Sequence, residues 1–386
     1  MNTININSNK LAEKVQSIIG VVERKQTMPI LGHILIESDN NTLTLTSTDL
    51  EVQLSTETNL DKNSASFLTT APGRKLYEII RSIENQELAI HVSDTDLTIE
   101  ASSSKFKLLS LPPNEFPLFE STTAETTFVV KQKTIKTLFN KTHFAMAQQD
   151  VRFYLNGLLL ETSPNSLISV GTDGHRLARS IASIDKSQVE ESSFIVPRKA
   201  IQEAQRIIDE EGEAKVSFTD NQATFNLNSV TLITKLIDGS FPDYNRVIPE
   251  ETTTNILIKT NELRPALQRV SILANEKFKG VRIDLNDDKL TVSSENPEQE
   301  RAKETLIIDN TNTSLSVGFN VSYLIDAINA CDGDLETELS ERPETAPGLP
   351  KASTSARGIM TRLVWVVDTD TEGDRMRLLG KRLNLV

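Results

Sequence analysis

The chain has 386 residues, 38% hydrophobic and 25% charged, with a net charge of −13, the composition of a soluble globular protein with room for two to four domains. A single cysteine, Cys331, rules out an internal disulfide and points to a reducing compartment. No apolar stretch reaches the roughly 18 residues of a membrane span, and Met1–Ile6 lacks the basic start and apolar core of a signal peptide, so a cytoplasmic location is expected.

The spacing of Leu11, Val15, Ile18, Ile19 and Val22 predicts a helix over 8–25, with Ser8 or Asn9 as cap. Ile34–Glu37 and Leu43–Thr46 read as strands around the Asp39-Asn40-Asn41 turn. Pro72 opens a second helix with Leu76, Ile79, Ile80 and Ile83 as its stripe. Strands follow at Leu88–Val92, Leu97–Ala101 and Phe106–Leu109. The pattern then restarts with a helix over Lys131–Phe144, a hairpin of Leu158–Glu161 and Leu167–Val170, and a helix opened by Pro197. It restarts again with a helix over Asn261–Arg282, in which Pro265 is tolerable because the first four N–H groups of a helix lack partners. A hairpin of Val281–Leu285 and Leu290–Ser293 follows, then the stripe Val321, Leu324, Ile325 and Ile328. Asp173 lies 124 residues after Asp49, Pro197 lies 125 after Pro72, Phe241-Pro242 lies 125 after Phe116-Pro117, and Asn296-Pro297 takes the place of Asp173 in the last copy. Unrelated domains with similar element lengths would share some of this; five recurring landmarks favour three homologous α+β domains. Thr- and Ser-rich junctions at Ser121–Thr127 and Glu250–Thr254 put the boundaries at 1–124, 125–252 and 253–386.

The predicted helices carry a net charge of +10, which leaves −23 on everything else. One charged helix face is ordinarily just solvated. A bias repeated over three copies fits a basic helical surface on an acidic body, suited to a phosphate backbone rather than to base readout. The densest motif is Gly171-Thr172-Asp173-Gly174-His175-Arg176-Leu177-Ala178. Asp173, His175 and Arg176 could serve a hydrolase. Against that, His33, His91 and His143 are scattered, no nucleophile motif accompanies them, and the corresponding places in the other copies lack the histidine. No metal site, cofactor or catalytic residue is expected.

The chain resembles the bacterial DNA polymerase III beta subunit family of sliding clamps. The carrying segments are Pro29-Ile30-Leu31-Gly32, Thr48-Asp49-Leu50, Gln148–Arg152, Tyr154–Gly157, Thr172–Ala178, Val196–Lys199, Phe241–Tyr244, Asn275–Phe278, Asn296–Glu300 and Gly318–Tyr323. The resemblance implies three clamp domains, each of two helices packed on antiparallel sheets, and a homodimer whose six domains close a ring around double-stranded DNA. It implies a non-catalytic processivity factor whose partners are the polymerase III catalytic subunit, the clamp loader complex and other clamp-binding repair and replication proteins. DNA contacts would fall to Arg24, Lys25, Arg74, Gln149, Phe153 and Tyr154; Phe153 stands where the family usually has tyrosine. A client-peptide pocket would be lined by Leu155, Thr172, Gly174, His175, Arg176, Leu177, Pro242, Arg246, Val247, Asn320 and Tyr323. In the dimer seam Phe106 and Leu108 would pack on Ile272 and Leu273, and Arg74, Lys75, Lys105 and Lys107 would face Glu298, Glu300 and Glu304. Arg301 stands where the family tends to have an acid.

The resemblance fades after about residue 335. Glu336–Pro350 shows no alternation, Val364–Val367 reads as a strand and Met376–Leu385 as a short basic helix. An incomplete or irregular outer sheet is therefore expected in the third domain. A clamp-like chain with impaired ring closure or client binding is the alternative reading.

Overall fold

The computed structural model describes residues 2–22, 28–60, 65–120, 123–184, 191–248, 254–308, 315–331, 335–340, 363–368 and 375–379. The first repeat runs β1 (Asn2–Asn7), α1 (Ser8–Ile18), β2 (His33–Asp39), β3 (Thr42–Thr48), β4 (Val52–Asn59), β5 (Phe67–Pro72), α2 (Gly73–Ser82), β6 (Glu87–Val92), β7 (Asp96–Ala101) and β8 (Ser104–Leu109). The second has the same ten-element order: β9 (Thr126–Lys131), α3 (Gln132–Thr142), β10 (Gly157–Ser163), β11 (Ser166–Thr172), β12 (Arg176–Ser183), β13 (Ser192–Pro197), α4 (Arg198–Ile207), β14 (Glu213–Phe218), β15 (Gln222–Leu227) and β16 (Val230–Lys235). The third follows it through eight elements: β17 (Thr254–Ile258), α5 (Thr260–Ser271), β18 (Gly280–Asn286), β19 (Lys289–Glu295), β20 (Arg301–Ile307), β21 (Leu315–Asn320), α6 (Val321–Asn329) and β22 (Leu335–Ser340). Two further strands, β23 (Leu363–Asp368) and β24 (Arg375–Leu379), lie in the tail.

The chain divides into two compact units, residues 1–136 with 196–237, and residues 137–195 with 238–386. The second repeat thus contributes to both. In the first unit, β1-β6-β7-β8 form one sheet, and β5-β2-β3-β4-β16-β15-β14-β9 form an eight-stranded sheet. This long sheet exists because β4 pairs antiparallel with β16, Leu54 opposite Leu232, so the edge of the first repeat is closed by an edge of the second. The second unit holds the sheets β13-β10-β11-β12-β23, β20-β19-β18-β21 and β17-β22-β24.

The helical stripes lie where their periodicity puts them. Leu11, Val15 and Ile18 are buried on α1, Leu76 and Ile80 on α2, Ile135, Leu138 and Phe139 on α3, and Leu324 and Ile328 on α6; each such side chain contributes about 1.5–3 kcal/mol when fully buried. The Asn40-Asn41 turn has φ of 48° and 63°, the left-handed pair that a two-residue hairpin needs and that asparagine tolerates. Pro72 and Pro197 immediately precede α2 and α4 with φ of −58° and −57°, preset for a helix start.

Several expectations need correction. α1 stops at Ile18 and passes into a single 3₁₀ turn over Ile19–Val21; residues 23–27 lie outside the described ones. α5 stops at Ser271 rather than reaching Arg282, because β18 begins at Gly280. Pro265 is its sixth residue, past the N–H groups that are free in any case, so it removes one helical bond. Glu336–Ser340 belongs to strand β22, and the start of the expected Met376–Leu385 helix is strand β24. β4 and β5 escaped the pattern because they bury polar groups: Thr56, Thr58, Thr69 and Thr70 are all within the core. The outer sheet of the third repeat, β17-β22-β24, has three strands among the described residues where the first repeat has four, and β24 joins β22 in parallel. β23 likewise joins β12 in parallel, whereas β16 joins β4 antiparallel.

One contact recurs at the helix ends. The Ser47 hydroxyl donates to the Ile18 carbonyl at 2.6 Å and the Ser294 hydroxyl to the Val270 carbonyl at 2.7 Å. The second repeat has Gly171 there, and a Cβ on it would stand 2.5 Å from the Thr142 carbonyl oxygen. Backbone thus approaches where the other repeats place a hydroxyl. Gly171→Ala is expected to destabilise the second unit by about 1–3 kcal/mol through overpacking, and Ser47→Ala the first unit by about 1 kcal/mol, both measured as shifts in chemical denaturation.

Candidate partner-binding site

The turn between β11 and β12 is built by two side chains. The Thr172 hydroxyl donates to the Arg176 carbonyl at 2.6 Å and accepts from Gly174 N–H at 3.1 Å. One oxygen of Asp173 accepts from the N–H groups of His175 and Arg176 at 2.8 and 2.9 Å. The first repeat makes the same turn. The Thr48 hydroxyl bonds the Val52 carbonyl and Leu50 N–H, and Asp49 accepts from Glu51 and Val52 N–H. Leu50 has φ 78° where Gly174 has φ 82°. The Thr-Asp pair is therefore scaffold, and the difference between the copies lies in what the turn carries.

In the second repeat the turn carries an arginine cluster. The Arg176 guanidinium donates to Asp173 at 3.1 Å and to Asp326 of α6 at 2.6 Å. It stacks over the rings of Tyr323 at 4.5 Å and Phe144 at 5.5 Å, an arrangement that suits a planar cation. Its side chain is 12% exposed, so Arg176 ties β12 to α6 and is not a free donor on a rim. The Tyr323 hydroxyl is pushed above its ordinary range by burial, and then by the charge of Asp173. Arg152 lies across the turn: it chelates Asp150 through Nε at 3.0 Å and a terminal nitrogen at 2.9 Å and reaches the Asp173 carbonyl at 3.4 Å. A Cβ on Gly174 would stand 3.1 Å from that guanidinium, so the position calls for glycine on grounds of space as well as φ. The side-chain hydrogen bond from Arg152 holds the Asp150 carboxyl down at about 2.

The expected pocket residues divide into groups. Leu155, Thr172 and Leu177 are core residues, at most 1% exposed; they form the floor of the cluster and do not present a lining. His175 is exposed and Pro242 half-buried. Arg246 is paired with Asp243 at 2.9 Å and faces solvent. Asn320 caps α6 by accepting from Ser322 N–H at 2.9 Å. The Val247 side chain lies outside the described residues. Arg152, Phe144 and Asp326 were not assigned from sequence. Arg152 sits inside the Gln148–Arg152 segment, a local signal, whereas nothing in sequence links Arg176 to Asp326, 150 positions away.

Of the expected DNA contacts, Arg24 and Lys25 lie outside the described residues. Gln149 is exposed with φ 54°, and Phe153 is 72% exposed beside Val151 at 87%. Phe153 and Tyr154 open a 3₁₀ turn, Phe153–Asn156. Tyr154 is half-buried. Arg74 donates through one terminal nitrogen to the Val22 carbonyl at 2.7 Å, and its Nε is buried without a hydrogen-bond partner. The six α-helices among the described residues carry thirteen Lys or Arg against five Asp or Glu, so the basic bias survives their shorter bounds.

Of the expected seam residues, Ile272 is 76% exposed, and Leu273 and Phe106 are half-buried. Leu108 is in the core at 6%, and its neighbour Leu109 faces outward at 71%, because alternate residues of a strand face opposite ways. Lys75 and Glu298 are exposed. Lys105 pairs with Glu100 at 2.6 Å and Lys107 with Asp96 at 2.9 Å. Glu304 is held bidentately by Arg269 at 2.7 and 3.1 Å, and Glu300 accepts from Asn296 at 2.6 Å. These charges are thus engaged within the chain.

A thrice-repeated α+β unit with sheet edges joined repeat to repeat, basic helices and an arginine cluster where the second repeat meets α6 defines a clamp-like class of protein. Comparison with known proteins bears on this over nearly the whole described chain. The N-terminal domain of the DNA polymerase III beta subunit matches residues 2–120, its central domain 129–243 and its C-terminal domain 245–340. The beta sliding clamp of Pseudomonas putida is 41% identical over 325 residues, 84% of this chain and 89% of that one. That of Escherichia coli K12 is 37% identical over 322 residues, 83% and 88% respectively. The crystal structure of the DNA polymerase III subunit beta from Pseudomonas aeruginosa superposes with a TM-score of 0.83 at 37% identity, covering 86% of this chain and 90% of that one. The chain belongs to the DNA polymerase III beta subunit family, the beta sliding clamps.

The ion pair between Arg152 and Asp150 sets a pH test. The folded carboxyl is depressed, so whatever stability it contributes is present above the unfolded value near 3.9 and is lost as pH falls through about 2. Arg152→Gln should raise the Asp150 carboxyl from about 2 toward the ordinary aspartate range, stopping short of it because the backbone N–H of residue 152 still donates to the carboxylate at 2.8 Å, read by NMR titration of its side-chain carbon. A carboxyl still titrating near 2 in that variant would assign the depression to another group.

Proposed function

We propose that two copies of this chain close head to tail into a ring around double-stranded DNA, as a sliding clamp that tethers the replicative polymerase during DNA replication. The observation that carries the reading is the pair of sheet edges left unpaired, among the described residues, at the two ends of the repeat. Inside the chain, β16 closes the edge of β4. β8 corresponds to β16 and β20 to β4, and both are edge strands of their sheets. An exposed edge is a template for pairing with another chain, and here each edge fits the other. Transferring the β4–β16 register puts Phe106 opposite Ala302, in the places of Leu232 and Leu54, which is the apolar side of the seam. Two such seams close a ring of six repeats. The closing edges lie outside the tail, which argues against impaired closure as the function of this chain.

A ring needs no base readout. Its helices' excess of Lys and Arg supplies diffuse attraction to phosphate, while topology holds it on the duplex. Gln149 and Phe153, exposed beside Val151, are the proposed DNA contacts from the second repeat. The arginine cluster with His175, Pro242, Arg246, Asn320 and Tyr323 is the proposed docking site for a client peptide, with Leu155 and Leu177 supporting it from the core beneath. Its occupants are the polymerase catalytic subunit, the clamp loader and other replication and repair proteins. The family role is non-catalytic and cytoplasmic. No helix among the described residues is long and apolar enough to cross a membrane.

The ring reading is tested by loading the protein on a nicked circular plasmid and then linearising it. Retention should be lost on linear DNA, and protein that stays bound after cutting would sink the reading. The same register sets Lys107 opposite Arg301 across the seam. Like charges directly opposite each other are destabilising, and an opposite-charge pair contributes about 0.2–1 kcal/mol. Arg301→Glu is therefore expected to tighten the dimer several-fold, measured by sedimentation at low salt.

A further inference from the structure

We propose that Arg81 of one chain caps the C-terminal end of α5 in the second copy, donating to the backbone carbonyls of Gln268 and Arg269. The inference rests on the ring reading and goes beyond it by naming a contact outside the paired strands. Its ground is a junction the chain makes with itself. At the β4–β16 seam, α4 meets the end of α1. There Arg206 donates through its two terminal nitrogens to the carbonyls of Gln16 and Ser17 at 2.9 and 2.7 Å, and Glu203 steadies the guanidinium at 2.9 Å. The last carbonyls of a helix lack partners inside it and carry the negative end of its dipole, so a bidentate arginine is the fitting cap.

The repeat carries both halves of this junction to the outer seam. α2 and α4 align at a spacing of 125 residues, from Pro72 and Pro197 at their starts to Ile83 and Ile208 at their ends. On that alignment Glu78 and Arg81 stand where Glu203 and Arg206 stand. Both are exposed, and neither has a partner among the described contacts. α5 aligns with α1 through the buried residues Leu263, Leu267 and Val270 against Leu11, Val15 and Ile18, and through the serine bonds to Val270 and Ile18. Gln268 and Arg269 then take the places of Gln16 and Ser17; their carbonyls each accept one bond already, from the Ser271 hydroxyl at 2.7 Å and from Ile272 N–H at 3.3 Å, and each keeps a second lone pair for the arginine. The Arg269 side chain is drawn away to Glu304. One difference is informative. Gly20 admits the Glu203 carboxylate, which lies 2.1 Å from where a Cβ would be, whereas the corresponding residue is Ile272, 76% exposed. At the outer seam an apolar side chain therefore occupies the carboxylate's place, and the arginine alone carries the polar contact.

The test is the self-association constant of the full chain, by sedimentation and by subunit exchange between differently labelled copies. Arg81→Ala should raise the dimer dissociation constant roughly tenfold, with two seams each losing hydrogen bonds to a charged donor, and Arg81→Lys should recover part of it. Arg206→Ala should lower the denaturation midpoint while leaving the constant unchanged, and Arg81→Ala should leave the midpoint of the dilute, dissociated chain unchanged. A wild-type dimer indifferent to Arg81→Ala overturns the contact alone. A wild-type chain that stays monomeric overturns the ring reading and the contact together.

Discussion

Everything in this architecture depends on where sheet edges end. A β-strand at an edge presents a row of backbone donors and acceptors that water can satisfy but that another strand satisfies just as well. The first repeat leaves the edge of β4 open, and the second repeat supplies β16 to close it. The buried polar residues of β4 follow from this closure. The Thr56 hydroxyl reaches the Ser229 carbonyl at 2.8 Å, and the Thr234 hydroxyl of β16 reaches the Glu51 carbonyl at 3.0 Å. A strand that looks too polar for a core is in the core because its partner arrives with matching groups. A chain of repeats joined this way always has two edges left over, and a second copy is the economical way to satisfy them.

The same logic separates scaffold from specialisation within a repeat. The Thr-Asp turn is made twice with the same hydrogen bonds, so its conformation says nothing about function. What differs is the residue at the apex and the residue that follows. Leu50 at φ 78° leads to Val52, while Gly174 at φ 82° leads to Arg176. Glycine there gives the Arg152 guanidinium its place, and Arg176 draws in Asp326, Tyr323 and Phe144. One small residue and one cation convert a turn that only ends a strand into a cluster of two arginines, three carboxylates and two rings.

Much of the fold was legible because helical stripes and repeat spacing are local or periodic signals: Leu11, Val15 and Ile18 identify α1, and prolines at 72 and 197 identify two helix starts. Strands that bury threonine gave no such signal. The site was less legible than the fold. His175 and Arg176 drew notice for their chemistry, but their meaning depends on residues distant in sequence, and the resemblance rather than any spacing pointed to a docking role. Leu155 and Leu177 look like lining in a list of apolar residues, yet they are floor: the 3₁₀ turn Phe153–Asn156 buries Leu155, and Leu177 lies in a part of β12 where neighbouring residues are buried together. Leu108 misled in the same way, one position from the exposed Leu109.

The tail is where repeat logic and observed topology part. In the first unit the last strand of a repeat arrives antiparallel on its neighbour, as β16 does on β4. In the second unit the strand beside β12 is β23, and it runs parallel. A parallel pair needs a long crossover, whereas an antiparallel one can follow from a short hairpin. β12 ends at Ser183 and β23 begins at Leu363, so the chain between the two paired strands is long enough for either direction. The edge of β12 is nonetheless covered, which is the requirement the repeat imposes; the direction of the covering strand is a property of this chain's own ending. Closure of the outer seam is independent of it, because β8 and β20 are both complete before the tail begins.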